Sequence, residues 1–190
     1  MNRIWQKHWP PGLDEARIRL PGESITTFLT ANAARAPRRP AIVFYGREIT
    51  FAELDDASDR FAGWLRGRGI GPGDRVALYL ENCPQFAIAH FGALKAGAIT
   101  VPLNPMHKAI ELQHELEDSG ARVLVAAHAG RAIVESFRAA TPVEAVALVA
   151  YRDYLPERPS LPPPPSLLEE AAGPVGGRAA GLEPFQAIVE

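Results

Sequence analysis

Between positions 75 and 150 short runs rich in Val, Leu and Ala alternate with longer segments of helical period, and this alternation limits the fold more than any other feature. The runs 75–80, 98–101, 122–126 and 145–150 are largely apolar, the pattern of strands covered on both faces of a sheet. Segments with helical spacing fall between them at 84–95, 108–118 and 131–139. Parallel strands need long crossover connections, and helices of this length supply them as right-handed β-α-β units. The expectation is an α/β fold: an open, mostly parallel sheet flanked by helices.

Ahead of that block lies a β-hairpin near the N-terminus, read from 41–45 and 48–50 around Gly46, which takes positive φ without strain. Ser24 caps a preceding helix whose apolar positions are Ile25, Phe28, Leu29 and Ala33, and Pro37 ends it. Thr50-x-x-Glu53 is a capping box that opens the best helix of the chain, with Phe51, Leu54, Ser58, Phe61 and Leu65 along one face. The Gly67–Gly73 stretch ends this helix and feeds a strand. A phosphate loop has the opposite order, strand then glycines then helix, so the stretch reads as a turn.

Three divisions follow. Residues 1–22 form an N-terminal arm with Trp5, Trp9 and the Pro10-Pro11-Gly12 break, expected to pack on its own domain. Residues 23–150 are the α/β subdomain. Residues 151–190 are a proline-rich linker and the start of a truncated following segment, with six prolines between 155 and 166. There, 167–172 suits one or two helical turns, and 185–189 reads as the beginning of a strand.

A net charge of −2 gives no electrostatic footprint for nucleic acid or an anionic membrane. The single cysteine, Cys83, excludes an internal disulfide framework and suits a reducing compartment. No run approaches the ~20 apolar residues of a spanning helix, and the first 19 residues lack an apolar signal core. A cytoplasmic location is expected.

Few residues are nominated for chemistry. His107, Glu111 and His114 fall at i, i+4 and i+7, a conceivable metal stripe, but no H-E-x-x-H pattern exists and an ordinary solvated helix is the expectation. Cys83 precedes Pro84 at a helix start, where no base accompanies it, so a buried or capping role is expected. Arg131 opens a helix just after the strand 122–126, at the carboxyl edge of the expected sheet, where ligands bind and a guanidinium suits phosphate. No catalytic residue and no metal ligand is singled out.

Five segments carry a resemblance. They are Ile49-Thr50-Phe51-Ala52-Glu53-Leu54, Gly71-Pro72-Gly73-Asp74-Arg75-Val76-Ala77-Leu78, Phe91-Gly92-Ala93-Leu94-Lys95-Ala96-Gly97, Val101-Pro102-Leu103-Asn104-Pro105, and Leu112-Gln113-His114-Glu115-Leu116-Glu117-Asp118-Ser119-Gly120-Ala121. Each alone is built of caps and turns. In this order and spacing they resemble the N-terminal part of the adenylate-forming enzymes, in the long-chain fatty-acid–CoA ligase branch.

The resemblance implies a parent enzyme that makes an acyl-adenylate from a fatty acid and Mg·ATP and passes the acyl group to CoA. ATP, Mg and CoA are the implied cofactors. Such enzymes use a Ser/Thr/Gly-rich loop ending in Pro-Lys-Gly, an aromatic–Thr–Glu motif and a lysine in a mobile C-terminal domain, and none of these occurs in the 190 residues. The chain is therefore expected to be catalytically incomplete, to bind none of the cofactors tightly, and to partner the remaining lobe of the enzyme. Some relatives bring arginines from this region to the CoA nucleotide, which makes Arg131 the candidate for a CoA phosphate. Apolar surface left by a missing lobe would favour self-association. The alternative is a stand-alone, non-catalytic binding or dimerising module derived from the same scaffold.

Overall fold

The computed structural model describes residues 4–12, 24–169 and 181–190. Helix α1 (Ile25–Arg35) starts where the Ser24 hydroxyl accepts a hydrogen bond from the Thr26 N–H. Strands β1 (Pro40–Phe44) and β2 (Arg47–Thr50) then pair antiparallel, Phe44 opposite Arg47. Tyr45 and Gly46 between them both have positive φ, 50° and 93°, the backbone of a type I′ turn, whose twist matches that of a hairpin.

Helix α2 (Phe51–Arg66) opens on the capping box. Thr50 Oγ1 accepts from the Glu53 N–H at 3.2 Å, and Glu53 Oε2 accepts from the Thr50 N–H at 2.7 Å. The Thr50 backbone bond holds the Glu53 carboxyl below its usual range. Elements then alternate: β3 (Arg75–Tyr79), α3 (Pro84–Ala96), β4 (Ile99–Pro102), α4 (Ala109–Ser119), β5 (Val123–Ala127), α5 (Arg131–Phe137) and β6 (Ala145–Val149). A short helix α6 (Pro165–Glu169), strand β7 (Leu182–Pro184) and the single helical turn α7 (Gln186–Val189) complete the described chain.

The strands β3 to β7 form one parallel sheet in the order β4-β3-β5-β6-β7. Alternation along each strand feeds two cores. Val76, Leu78, Val123 and Val125 join α2, α3 and the hairpin on one face. Ala77, Leu124, Ala126 and Val146 join α4 and α5 on the other. The sheet is thus layered between helices, as the alternation of the sequence requires.

Two features hold the first face. Gly92 of α3 lies so close to α2 that a Cβ there would stand 2.8 Å from both the Ser58 carbonyl and the Phe61 ring. One turn on, the Lys95 ammonium, 9% exposed, pairs with the Asp55 carboxylate at 2.7 Å and with Asp59 at 2.9 Å. At the amino edge of the sheet Arg122 pairs bidentately with Glu144 at 2.7 and 2.9 Å and with Asp74 at 2.9 Å. Its guanidinium holds both carboxyls below their ordinary range.

Two readings of the sequence are corrected. Residues 185–189 do not begin a strand: the strand is Leu182–Pro184, and Gln186–Val189 is helical. Pro184 closes the pairing with Leu148, and Phe185 turns inward against Phe61, ring centroids 5.3 Å apart. Ile25 and Phe28 are not core residues like Leu29; both stay about half exposed beside an apolar groove shared with Ala41, Phe51 and Phe91. In the arm, Ile4–His8 forms a 3-10 turn with Ile4 and Trp5 exposed and Trp9 partly buried; most of the arm lies outside the described residues. The expected turn at 167–172 is present as far as Glu169; the rest lies outside the described residues. No helix among the described residues is long and apolar enough to cross a membrane.

Two glycines on the paired helices separate close approach from propensity. Gly92→Ala is expected to lower unfolding free energy by about 1–3 kcal/mol through overpacking. Gly63→Ala, whose Cβ meets nothing within 4 Å, should raise it by up to about 1 kcal/mol. Urea denaturation of both variants checks the pair, and equal effects would contradict the seam described.

Candidate functional site at the carboxyl edge of the sheet

Strand order reverses at β3, because the chain leaves it for β4 on one side and returns to β5 on the other. Open α/β sheets bind ligands outside the carboxyl ends of their strands at such a reversal. Two groups of residues meet at this edge, one on each face.

On the face of α4 and α5, the Tyr79 hydroxyl ends β3 and donates to the His107 carbonyl at 2.7 Å. Burial raises the pKa of that hydroxyl, so it stays a donor at neutral pH. The bond fixes the loop after β4, which is also turned by the Met106 N–H donating to Asn104 Oδ1 at 3.0 Å. His107 Nδ1 lies 3.1 Å from Glu115 Oε2. Behind Tyr79, Gly130 packs against the phenol ring, and His128 Nε2 is buried with no hydrogen-bond partner among the described residues. Arg131 opens α5 and its Nε–H donates to Glu135 at 2.8 Å across one helical turn.

On the hairpin face lies a cleft of about 270 Å³. Phe44 and Tyr45 of the hairpin form one wall, their rings edge to face at 4.9 Å. Glu81, Asn82 and Cys83 between β3 and α3 form another, and Tyr151, Pro164 and Leu167 close the third. The Glu81 N–H donates to the Tyr151 hydroxyl at 2.9 Å, and buried Gln85 donates to the Ala150 carbonyl at 3.0 Å. These bonds tie the start of α3 to the chain leaving β6. The Ser160 N–H donates to the Tyr45 carbonyl at 2.8 Å, which holds the hairpin tip against the proline-rich segment. Among the described residues that line this cleft there is no lysine or arginine.

Arg131 stands where the sequence places it, just beyond the carboxyl end of β5. The imidazole–carboxylate stripe does not form: α4 begins at Ala109, so His107 precedes the helix, while Glu111 accepts from the Lys108 N–H at 3.2 Å. Among the described residues no group of three or more His, Cys, Asp or Glu is arranged to hold a metal. Cys83 takes the N-cap position of α3 without a side-chain cap bond, Pro84 filling the first turn. Sequence reasoning missed Tyr45, Glu81 and Tyr151 as one site, because they are brought together from segments about 35 and 70 residues apart.

A parallel sheet layered between helices, with its concave edge at the strands' carboxyl ends, defines a ligand-binding α/β domain. Over residues 29–173 the chain matches the AMP-binding enzyme family, and it belongs to that family. It is 32% identical over 152 residues to a long-chain-fatty-acid–CoA ligase of Bacillus subtilis, covering 80% of this chain and 27% of the relative. It is 45% identical over 111 residues to a salicyl-AMP ligase / salicyl-S-ArCP synthetase of Mycobacterium tuberculosis, covering 56% of this chain and 20% of that one. Among solved structures, the N-terminal domain of FACL13 from Mycobacterium tuberculosis superposes with a TM-score of 0.63 at 28% identity, covering 84% of this chain and 41% of that one. The chain spans 27% of the length of the Bacillus relative, about a quarter.

The Tyr151 hydroxyl organises the cleft through the Glu81 N–H. Tyr151→Phe is expected to lower unfolding free energy by about 1 kcal/mol, the worth of one hydrogen bond whose donor loses its partner. Thermal melting checks the stability, and amide exchange at Glu81 should accelerate while the β5 amides stay protected.

Proposed function

We propose that this chain is the N-terminal scaffold portion of an ATP-dependent fatty-acid–CoA ligase, the enzyme that converts acid, ATP and CoA to acyl-CoA, AMP and pyrophosphate. The observation that carries the reading is the match to a long-chain-fatty-acid–CoA ligase over four-fifths of the chain. The cap at Thr50, the turn before β3 and the seam at Gly92 are the same segments that resemble that branch, and each has a structural task here.

The role assigned to the segment follows from its chemistry. Activating a carboxylate with ATP concentrates phosphate charge, and stabilising that charge needs aimed cations and N–H donors. The cleft at the carboxyl edge supplies Glu81 and aromatic rings instead. Binding of ATP and Mg, and the acyl transfer itself, therefore fall to groups beyond these residues, and the 190-residue chain by itself is inert. Selectivity for the acid is assigned elsewhere too, a reading supported by relatives named for a fatty acid and for salicylate that match this segment alike.

Within the segment, Arg131 is proposed to meet a phosphate of CoA. It sits at the mouth of the strand-order reversal, and a phosphate there takes over the guanidinium Nε–H now given to Glu135. The Tyr79–His107 bond acts beside it by holding the loop after β4 in place.

Incubating the chain with Mg·ATP, palmitate and CoA is expected to yield no acyl-CoA and no AMP above blank. Product formed at enzyme-like rates would overturn the inert reading. In a full-length ligase carrying this segment, Arg131→Ala should raise KM for CoA by up to about tenfold, as loss of a charge-assisted hydrogen bond predicts. KM for ATP should stay unchanged; an unaltered KM for CoA would remove Arg131 from the site.

A further inference from the structure

Among the described residues one device occurs twice, an arginine laid over an aromatic ring with its N–H edge on an oxygen acceptor. Arg68 lies over the Trp64 ring, 4.0 Å from the centroid, and pairs with Glu183, which also accepts from the indole N–H at 3.3 Å. Arg47 lies over Tyr154 at 4.6 Å and donates to the Asp153 carbonyl at 2.7 Å. The guanidinium suits such places because its flat face is weakly hydrated and its edge is a fixed fork of donors.

The hairpin-side cleft presents the same acceptors. Phe44, Tyr45 and Tyr151 give it aromatic walls, Glu81 a carboxylate and Asn82 an amide oxygen. Glu81 is exposed and joins no ion pair among the described residues. A volume of about 270 Å³ falls short of the usual range for drug-sized ligands and suits a single long side chain or a molecule of that size. With a carboxylate and no described lysine or arginine in its wall, the cleft disfavours phosphates and favours a cation.

We propose that this cleft binds a guanidinium on a short alkyl chain, stacked on its aromatic wall and held at its edge by the Glu81 carboxylate. The shared chemistry covers an arginine side chain of a polypeptide and a free alkylguanidine. Stacking supplies the contact area, and the carboxylate distinguishes the cation from a neutral isostere.

The test is an NMR titration of the 190-residue chain with N-acetylarginine methylamide. Saturable shifts are expected at Tyr45, Glu81 and Asn82, with affinity falling as salt is raised. The citrulline counterpart, equal in shape and uncharged, should bind at least about tenfold more weakly, and Glu81→Gln should weaken the arginine probe at least about fivefold. Glu81 is exposed, so the variant should keep the parent melting temperature; the salt series on the unaltered chain is the independent check. Butylguanidine as a second probe separates the sources: weaker binding than the blocked arginine marks a polypeptide ligand, equal binding a free guanidine. Equal affinity for citrulline, shifts mapping outside the cleft, or no saturation by about 50 mM, beyond the millimolar range expected of one such contact, would overturn the proposal.

Discussion

The contact between α2 and α3 at Gly92 sets the geometry on which the rest of the domain is built. With no Cβ at 92, the α3 backbone comes into contact with the Ser58 carbonyl and the Phe61 ring, and Phe61 is left fully buried. Phe61 then meets Trp64 at 5.4 Å and Phe185 at 5.3 Å, and the Trp64 indole N–H donates to Glu183, so the seam extends to β7 and the residue that follows it. Lys95 fixes the register along the seam, because its ammonium is satisfied by Asp55 and Asp59 of α2 at one rotation only. A buried charge costs several kcal/mol unless paired, so sliding one helix past the other would cost both packing and this pair.

The two edges of the sheet are held by different chemistry. At the amino edge the ties are ionic: Arg122 gathers Asp74 and Glu144, and Arg75 donates to the Ser119 and Gly120 carbonyls at the end of α4. At the carboxyl edge they are neutral: Tyr79 to His107, the Glu81 N–H to Tyr151, Gln85 to Ala150. Neutral bonds position loops without placing charge beside a ligand. Arg131 and Glu81 lie near the surface at this edge, on opposite faces of the sheet.

Much of this was legible from spacing. The strands of 75–150, the Thr50 capping box, the Gly46 turn and the Ser24 cap are local patterns with local causes, and the structure contains each of them. Elements whose state depends on distant partners were not legible. Leu182–Pro184 is short and ends in proline, weak evidence for a strand, and pairs only because β6 offers an open edge. Ile25 and Phe28 follow a helical period, yet of the three only Leu29 is buried where α1 packs on α2 and α3. The cleft was hidden for the same reason: Tyr45, Glu81 and Tyr151 form no motif until the hairpin folds back over the sheet.

A segment that resembles ligases for unlike acids is under one shared demand, to hold a carboxyl edge of fixed shape. The residues that meet it are backbone-directed: Thr50 caps a helix, Tyr79 and Tyr151 bind main-chain groups, and Gly92 admits a neighbouring backbone. None of these tasks calls on a ligand, since each is met between groups of the segment itself. Glu81 and Arg131 differ from that set in chemistry: the Glu81 side chain is exposed in the wall of the cleft, and the Arg131 guanidinium pairs with Glu135 at the carboxyl end of β5. Binding functions carried by this segment are therefore sought at those two positions, one anionic beside aromatic rings and one cationic at the strand-order reversal.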